Sequence, residues 1–291
     1  MSKLSDITTI REVLQRHGFQ FSKSLGQNFL INPSVCPRMA EESGLREESG
    51  VIEVGPGIGV LTCELAQRAC KVVAIELDRR LLPVLHETLE EYHNVTIINE
   101  DVLKVDLKAL IQREFPGMPV SVCANLPYYI TSPVIMRLLE ERLPVDSITV
   151  MVQKEAADRL CAQPGKRESG AISVAVRYYA QPEILFKVSR GSFLPAPNVD
   201  SAVIRLHVRK QPAVSVENER FFFSVVKAAF GQRRKTVANS LCAGLSIPKE
   251  VVGQALKQAD VPATARAEQL TLEQFAAVSR ELDGAQTSKT L

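Results

Sequence analysis

Three groups of residues in this chain could act on one ligand, and each lies at the end of an apolar, β-branched run. The first is EVGPGIGVLT (53–62), which follows VIEV and opens a helical stretch. Gly55, Gly57 and Gly59 let the backbone turn sharply and come close to a ligand. A glycine loop at a strand–helix junction is also ordinary structure. A dinucleotide fingerprint would need glycine at position 60, where the chain has Val60. The second is Glu76, which ends KVVAIE, 21 residues after Gly55; a carboxylate there can accept both hydroxyls of a ribose. The third is Asp101, in NEDVL after VTIIN, which can accept from an adenine amino group. Each acid alone reads equally as a surface charge. Together, at three successive strand ends, they outline the crevice in which an open α/β sheet binds a nucleoside. NAD suits this layout. So does S-adenosyl-L-methionine, which carries no phosphate and does not require the third glycine.

The next motif decides between them. NLPYYI (125–130) ends VSVCAN, and it suits alkylation of an exocyclic amine. The amino lone pair of adenine is delocalised into the ring and is a poor nucleophile. Two acceptors, the Asn125 side-chain oxygen and the Leu126 carbonyl, can bind its two N–H groups and favour a pyramidal nitrogen. Pro127 stiffens the turn, and Tyr128 offers a ring face for the base. No strong base is needed, because the alkylated nitrogen loses its proton readily. Catalysis is then positioning for in-line transfer. A stacked base must first be flipped into such a pocket. Phe193, in SFLPAPNVDSAV (192–203), could stack on its other face; a buried Phe in a Pro-rich strand connector is the equal alternative.

The elements that must hold these groups alternate. VIEV (51–54), KVVAIE (71–76), VTIIN (95–99), VSVCAN (120–125) and SITVMV (147–152) read as strands buried on both faces. Leu61 and Leu65 are one helical turn apart. Asp78 can cap a helix running towards Tyr92, and Asn32-Pro33 and Ser132-Pro133 can open helices with proline at the first position. This order predicts an α/β fold with a doubly wound, Rossmann-like sheet. EILFKVS (183–189) and AVIRLHV (202–208) read as neighbouring strands that add an antiparallel element at the sheet edge. Helical patterns follow at 219–230, 234–243, 248–258 and 271–282, and the tail GAQTSKTL reads as frayed. The expected division is a catalytic domain over 1–211 and a small helical domain over 212–291.

Bulk composition narrows the partners. The six cysteines form no CxxC pair and the four histidines no ligand spacing, so no metal is expected and the thiols read as reduced and cytoplasmic. No apolar run approaches the ~18 residues of a membrane span, and the first ten residues lack a signal's apolar core. Residues 205–249 carry nine Lys/Arg and two Asp/Glu, a net +7, which leaves −5 elsewhere. Such a block suits a polyanion or is simply a solvated face.

KSLGQNFL (23–30), EVGPGIGVLT, AIELD (74–78), EDVL (100–103), NLPYYI, FLPAPNVDSAV (193–203) and FGQRRK (230–235), in this order and spacing, closely resemble the ribosomal RNA adenine N6-dimethyltransferase family, in its bacterial small-subunit (16S) branch. The resemblance covers about residues 20 to 280. It implies that Asn28 and Leu30 lie against the methionine part of S-adenosyl-L-methionine. It places Gly55 along the cofactor, Glu76 at the ribose, Asp101 at the adenine, and Asn125 between cofactor and target. It implies two methyls on each of two adjacent adenosines in the 3′-terminal hairpin of 16S rRNA, late in small-subunit assembly. It also implies that a helical C-terminal domain grips RNA, with Lys227, Arg233, Arg234 and Lys235 on phosphates. One departure is PAP at 195–197, where relatives often carry PPP or TPP; Ala196 removes one ring from the flipping loop. Nothing in the chain demands a dimer, so a monomer is expected.

Three rivals share parts of the pattern. A large-subunit rRNA adenine methyltransferase shares QNF, the glycine loop and an N-[IL]-P-[YF] motif, but SLGQNFL and VKAAFGQRRK favour the small-subunit branch. A DNA adenine methyltransferase typically carries NPPY and a separate target-recognition region, neither visible here. A non-catalytic assembly factor would have no need of an intact Asn125-Leu126-Pro127-Tyr128.

Overall fold

A computed structural model describes Leu4, residues 6–19 and residues 27–287. Residues 23–26 of the KSLGQNFL segment and 288–291 of the tail lie outside it. The strands are β1 Phe29–Leu30, β2 Gly50–Val54, β3 Lys71–Glu76, β4 Val95–Asn99, β5 Val120–Asn125, β6 Ser147–Gln153, β7 Ala180–Val188, β8 Phe193–Leu194 and β9 Ser201–Val208. The helices are α1 Ile7–Arg16, α2 Val35–Glu42, α3 Val60–Ala66, α4 Leu82–Thr88, α5 Leu107–Glu114, α6 Thr131–Glu140, α7 Lys154–Cys161, α8 Ala171–Tyr179, α9 Glu219–Phe230, α10 Val237–Leu245, α11 Lys249–Gln258 and α12 Leu272–Thr287.

Seven strands form one sheet in the order β4-β3-β2-β5-β6-β9-β7. β2 pairs in parallel with β3 and β5, β3 with β4, and β5 with β6. β9 turns antiparallel to β6, with Val150 opposite Ile204, so the expected antiparallel addition at this edge is present. β2 is buried at every position, as a strand covered on both faces must be. The order reverses between β2 and β5, which opens a crevice at their C-terminal ends. A separate two-stranded ribbon pairs Phe29 with Leu194 and Leu30 with Phe193.

Local chemistry sets several boundaries differently from expectation. Asp78 does cap, accepting from the Arg80 backbone N–H, but over a single 3-10 turn, and α4 after it ends at Thr88. Neither proline opens its helix at the first position. Pro33 precedes α2, whose N-cap is Ser34, and Pro133 is the third residue of α6. Within the first turn proline forfeits no helical bond, so it fits there equally well.

The described residues fall into two compact units. The first is residues up to Ala157 with Pro182–Val208, and the second is Asp158–Gln181 with Arg209 onward. The helical unit thus takes in residues 158–181, a stretch the division at 211 leaves in the first part. Its core includes Tyr178 and Tyr179, whose hydroxyls donate to the Glu219 carboxylate at 3.0 and 2.7 Å. Their rings pack on Phe222 and Phe223.

Candidate functional site

The crevice of the sheet unit is a cavity that collects residues far apart in sequence. Asn28, Leu30, Gly55, Gly57, Glu76, Asp101, Asn125, Leu126, Tyr128 and Phe193 all line it. Gly55 and Gly57 have φ of +69° and +61°, the left-handed region where only glycine sits without strain. A Cβ on Gly57 would stand 3.2 Å from the Phe29 ring, whereas one on Gly55 would meet nothing within 4 Å. The loop therefore packs tightly behind Gly57 and leaves room at Gly55.

Glu76 is 6% exposed. One carboxylate oxygen accepts from the Asp78 backbone N–H at 2.8 Å and the other from Gly57 at 3.3 Å. These two bonds fix the group against the glycine loop and leave each oxygen a lone pair for a hydroxyl. Burial raises its pKa, and the two backbone donors oppose that rise. Asp78 accepts from the Gln27 side chain at 2.9 Å and from the Arg80 guanidinium at 2.6 Å, and Arg80 holds its pKa below the usual range. Asp101 accepts from the Leu103 backbone N–H at 2.9 Å, which holds the loop after β4.

On the other side, β5 delivers the NLPYYI motif. Asn125 donates through Nδ2 to the Asn28 carbonyl at 3.5 Å, which turns its Oδ1 the other way. The Leu126 N–H donates to the Met151 carbonyl of β6 at 3.3 Å. Pro127 has φ −54° and leads into a 3-10 turn over Tyr128–Ile130. Tyr128 is half-buried and its hydroxyl shares a 2.7 Å hydrogen bond with Ser201; burial raises its pKa, with the Ser201 bond opposing. Phe193 is 3% exposed and packs in a core with Leu30, Cys36 and Leu61. The ring is thus the buried Phe of the strand connector, and it also forms part of the cavity wall.

The charge of the lining bears on the same choice between a dinucleotide and S-adenosyl-L-methionine. Glu53, Glu76, Glu100 and Asp101 line the cavity, and no Lys, Arg or His does among the described residues. A pyrophosphate would face four acids and no base, which argues against a dinucleotide. S-adenosyl-L-methionine, phosphate-free and cationic, fits such a lining. A buried orphan agrees: Glu53 Oε2 has no hydrogen-bond partner among the described residues, so a cationic ligand would find an unused acceptor beneath the glycine loop.

The candidate RNA contacts belong to the helical unit. Lys227 is exposed on α9. Arg233, Arg234 and Lys235 are exposed too, but in the turn between helices rather than on a helix starting at 234. Gly231 ends α9, and the Thr236 hydroxyl caps α10 by accepting from the Asn239 N–H at 3.4 Å. The three charges thus form the loop of a helical hairpin.

Sequence reasoning passed over two residues that serve this site. Glu53 had a signal: it is a lone charge inside an otherwise apolar strand. Arg137 had none. Placed on α6, it donates through Nη2 to the Val105 carbonyl at 2.7 Å, through Nη1 to that of Val102, and through Nε to Glu141 at 2.6 Å. It ties the helix that leaves NLPYYI to the loop that carries Asp101.

Known proteins resemble this chain in sequence and in fold. The ribosomal RNA adenine dimethylase family matches residues 18–284. The Ribosomal RNA small subunit methyltransferase A of Geobacillus sp. (strain WCH70) is 52% identical over 276 residues, covering 94% of this chain and 95% of the relative. Among solved structures, the 23S rRNA methyltransferase ErmE is 30% identical at a TM-score of 0.68, covering 88% of this chain and 99% of ErmE. A dimethyladenosine transferase from Plasmodium falciparum superposes with a TM-score of 0.74 at 24% identity over 89% of this chain and 98% of its own, a likeness of fold. With a family match that spans the cavity, the glycine loop and the NLPYYI turn alike, the chain belongs to the ribosomal RNA adenine dimethylase family.

Proposed function

We propose that this chain uses S-adenosyl-L-methionine to dimethylate N6 of two adjacent adenosines in the 3′-terminal hairpin of 16S rRNA, acting as a cytoplasmic monomer on the immature small subunit. The observation that carries the reading is the convergence of Glu76, Asp101 and Asn125 on one acidic cavity. Identity of 52% to a small-subunit enzyme against 30% to a 23S enzyme favours the small-subunit target. No described helix is long and apolar enough to cross a membrane.

In this reading each residue has one task. Glu76 accepts the ribose hydroxyls, Asp101 the adenine amino group, and Gly55 and Gly57 give the cofactor backbone-close access. Asn28 and Leu30 hold its methionine end. The cofactor supplies an electrophilic methyl on a sulfonium. Asn125 Oδ1 and the Leu126 carbonyl accept the two N–H groups of the target adenine, and its lone pair turns towards the methyl. Tyr128 stacks on the flipped base, its ring fixed through Ser201, and Phe193 closes the opposite wall. The proton of the alkylated nitrogen leaves to water. The sheet unit is the catalytic part; the helical unit presents Lys227, Arg233, Arg234 and Lys235 to rRNA phosphates, which position without reading sequence.

The test is methyl incorporation from labelled S-adenosyl-L-methionine into immature small subunits, with nucleoside analysis. N6,N6-dimethyladenosine in 16S rRNA is expected. Label confined to large-subunit RNA would replace this target with that of the 23S enzymes. Subunit binding without label would make the chain an assembly factor.

A further inference from the structure

We propose that Glu53 senses the charge in the cavity: it keeps its proton beside water or a neutral thioether, and releases it to solvent when a sulfonium enters. The site then prefers the methyl donor to the demethylated product. The inference rests on reading the cavity as a site for S-adenosyl-L-methionine.

Glu53 is the one acid of the lining in the middle of a strand. It is 1% exposed, and its Oε2 lacks any hydrogen-bond partner among the described residues. On the flanking strands stand Glu76 of β3 and Cys123 of β5; on the covering helices stand Cys36 of α2 and Thr62, Cys63 and Glu64 of α3. None of these is a cation. Burial first, and the neighbouring Glu76 after it, push its pKa up to about 8, with Thr62 pulling the other way. Burial also drives the Cys36 and Cys123 thiols well up, so near neutrality these neighbours stay uncharged.

The chemistry of the two ligands supplies the reason for such a group. Donor and product share adenine, ribose, ammonium and carboxylate. They differ by one methyl and one positive charge at sulfur. Glu76 and Asp101 meet groups common to both and cannot tell them apart. Discrimination needs an interaction that depends on the differing feature, and an ionisable acid in a low-dielectric wall is one. A sulfonium nearby stabilises the carboxylate and lowers its pKa. By linkage, the donor then binds more tightly as pH rises towards 8, and the product gains less.

The experiment is titration calorimetry of the full chain without RNA, with S-adenosylmethionine and with S-adenosylhomocysteine. Each is run in two buffers of different ionisation enthalpy between pH 5.5 and 7, below the ordinary α-amino pKa of about 7.7–8.0. The donor is expected to release nearly one proton more than the product does. The donor-to-product affinity ratio should rise by up to about tenfold per pH unit. Protons released by Glu76 are common to both ligands and cancel in the difference. Glu53→Gln should abolish the extra proton and flatten the ratio. Equal proton release for the two ligands by the unaltered protein overturns the proposal, whatever the variant does. So does an unchanged difference in a folded Glu53→Gln. If neither ligand binds the unaltered protein, the cofactor reading falls and takes the inference with it.

Discussion

In the proposed function, the cavity of the sheet unit and the basic loop of the helical unit have opposite tasks. Around the cavity the polar groups are fixed. Glu76 is held by two backbone N–H groups, Asn125 by the Asn28 carbonyl and Tyr128 by Ser201. In the loop, the side chains of Arg233, Arg234 and Lys235 stand in solvent with no hydrogen bond or ion pair among the described residues. Transfer chemistry depends on orientation, and a misplacement of an ångström costs orders of magnitude in rate. Phosphate attraction falls off gently with distance, so long, exposed cations would suffice. Altering one region should therefore change the rate of the chemical step, and altering the other the salt dependence of binding.

Asn125→Ala is the sharpest cut. Removing a preorganised acceptor from the reacting nitrogen should lower kcat by at least ~10²–10³-fold. Subunit binding, measured by filtration, should hold, because the proposed phosphate contacts lie in the other unit. Turnover near that of the unaltered protein would remove Asn125 from the chemistry.

How much of this was legible in the sequence differs between the same two regions. The sheet was readable because its strands are continuous apolar runs that end at the candidate residues, and the placing of Gly55, Glu76, Asp101 and Asn125 along one cavity follows from that pattern. The helical unit was less so. Residues 158–181 join it from the middle of the chain, and nothing local announces a contact with helices some 50 residues on. Arg234 and Lys235 read as the start of a helix over 234–243 because Arg and Lys favour helices, while the Thr236 cap starts it at Val237. Arg137 escaped notice because its partners are the backbone carbonyls of Val102 and Val105, which carry no sequence signature.

Glu53→Gln extends the contrast to stability, since among the described residues only the cavity region contains a buried, uncompensated acid. In the unfolded chain this carboxyl titrates near its ordinary value of 4.5; in the fold it keeps its proton up to about 8. The sign follows: between those values the folded state binds the extra proton. Its favourable contribution is complete below 4.5 and drains as pH rises, by about 1.4 kcal/mol per pH unit at most. Glutamine does not titrate. The variant should therefore gain stability relative to the unaltered protein from pH 5 to pH 8, read as urea midpoints at both pH values. Parallel pH profiles would mean that Glu53 is charged throughout.

Replacing Arg233, Arg234 and Lys235 together with Ala tests the loop. If three phosphate contacts are lost, the slope of log affinity against log salt should flatten by about 2. Affinity should drop by ~10–100-fold at low salt while kcat at saturating subunit is kept. An unchanged slope would place the loop away from RNA.

Tyr128→Phe carries the smallest expected effect and the finest distinction. The substitution keeps the ring and removes only the hydroxyl bonded to Ser201 at 2.7 Å. A single hydrogen bond of this kind is worth about 1 kcal/mol net, so the ring loosens without leaving the site. The rate should fall by about fivefold, whereas Tyr128→Ala, which deletes the stacking face, should fall much further. The two variants separate orientation from contact. If Phe is as poor as Ala, the hydroxyl itself meets the reacting groups, and Ser201 then belongs to the chemistry rather than to the wall that holds it.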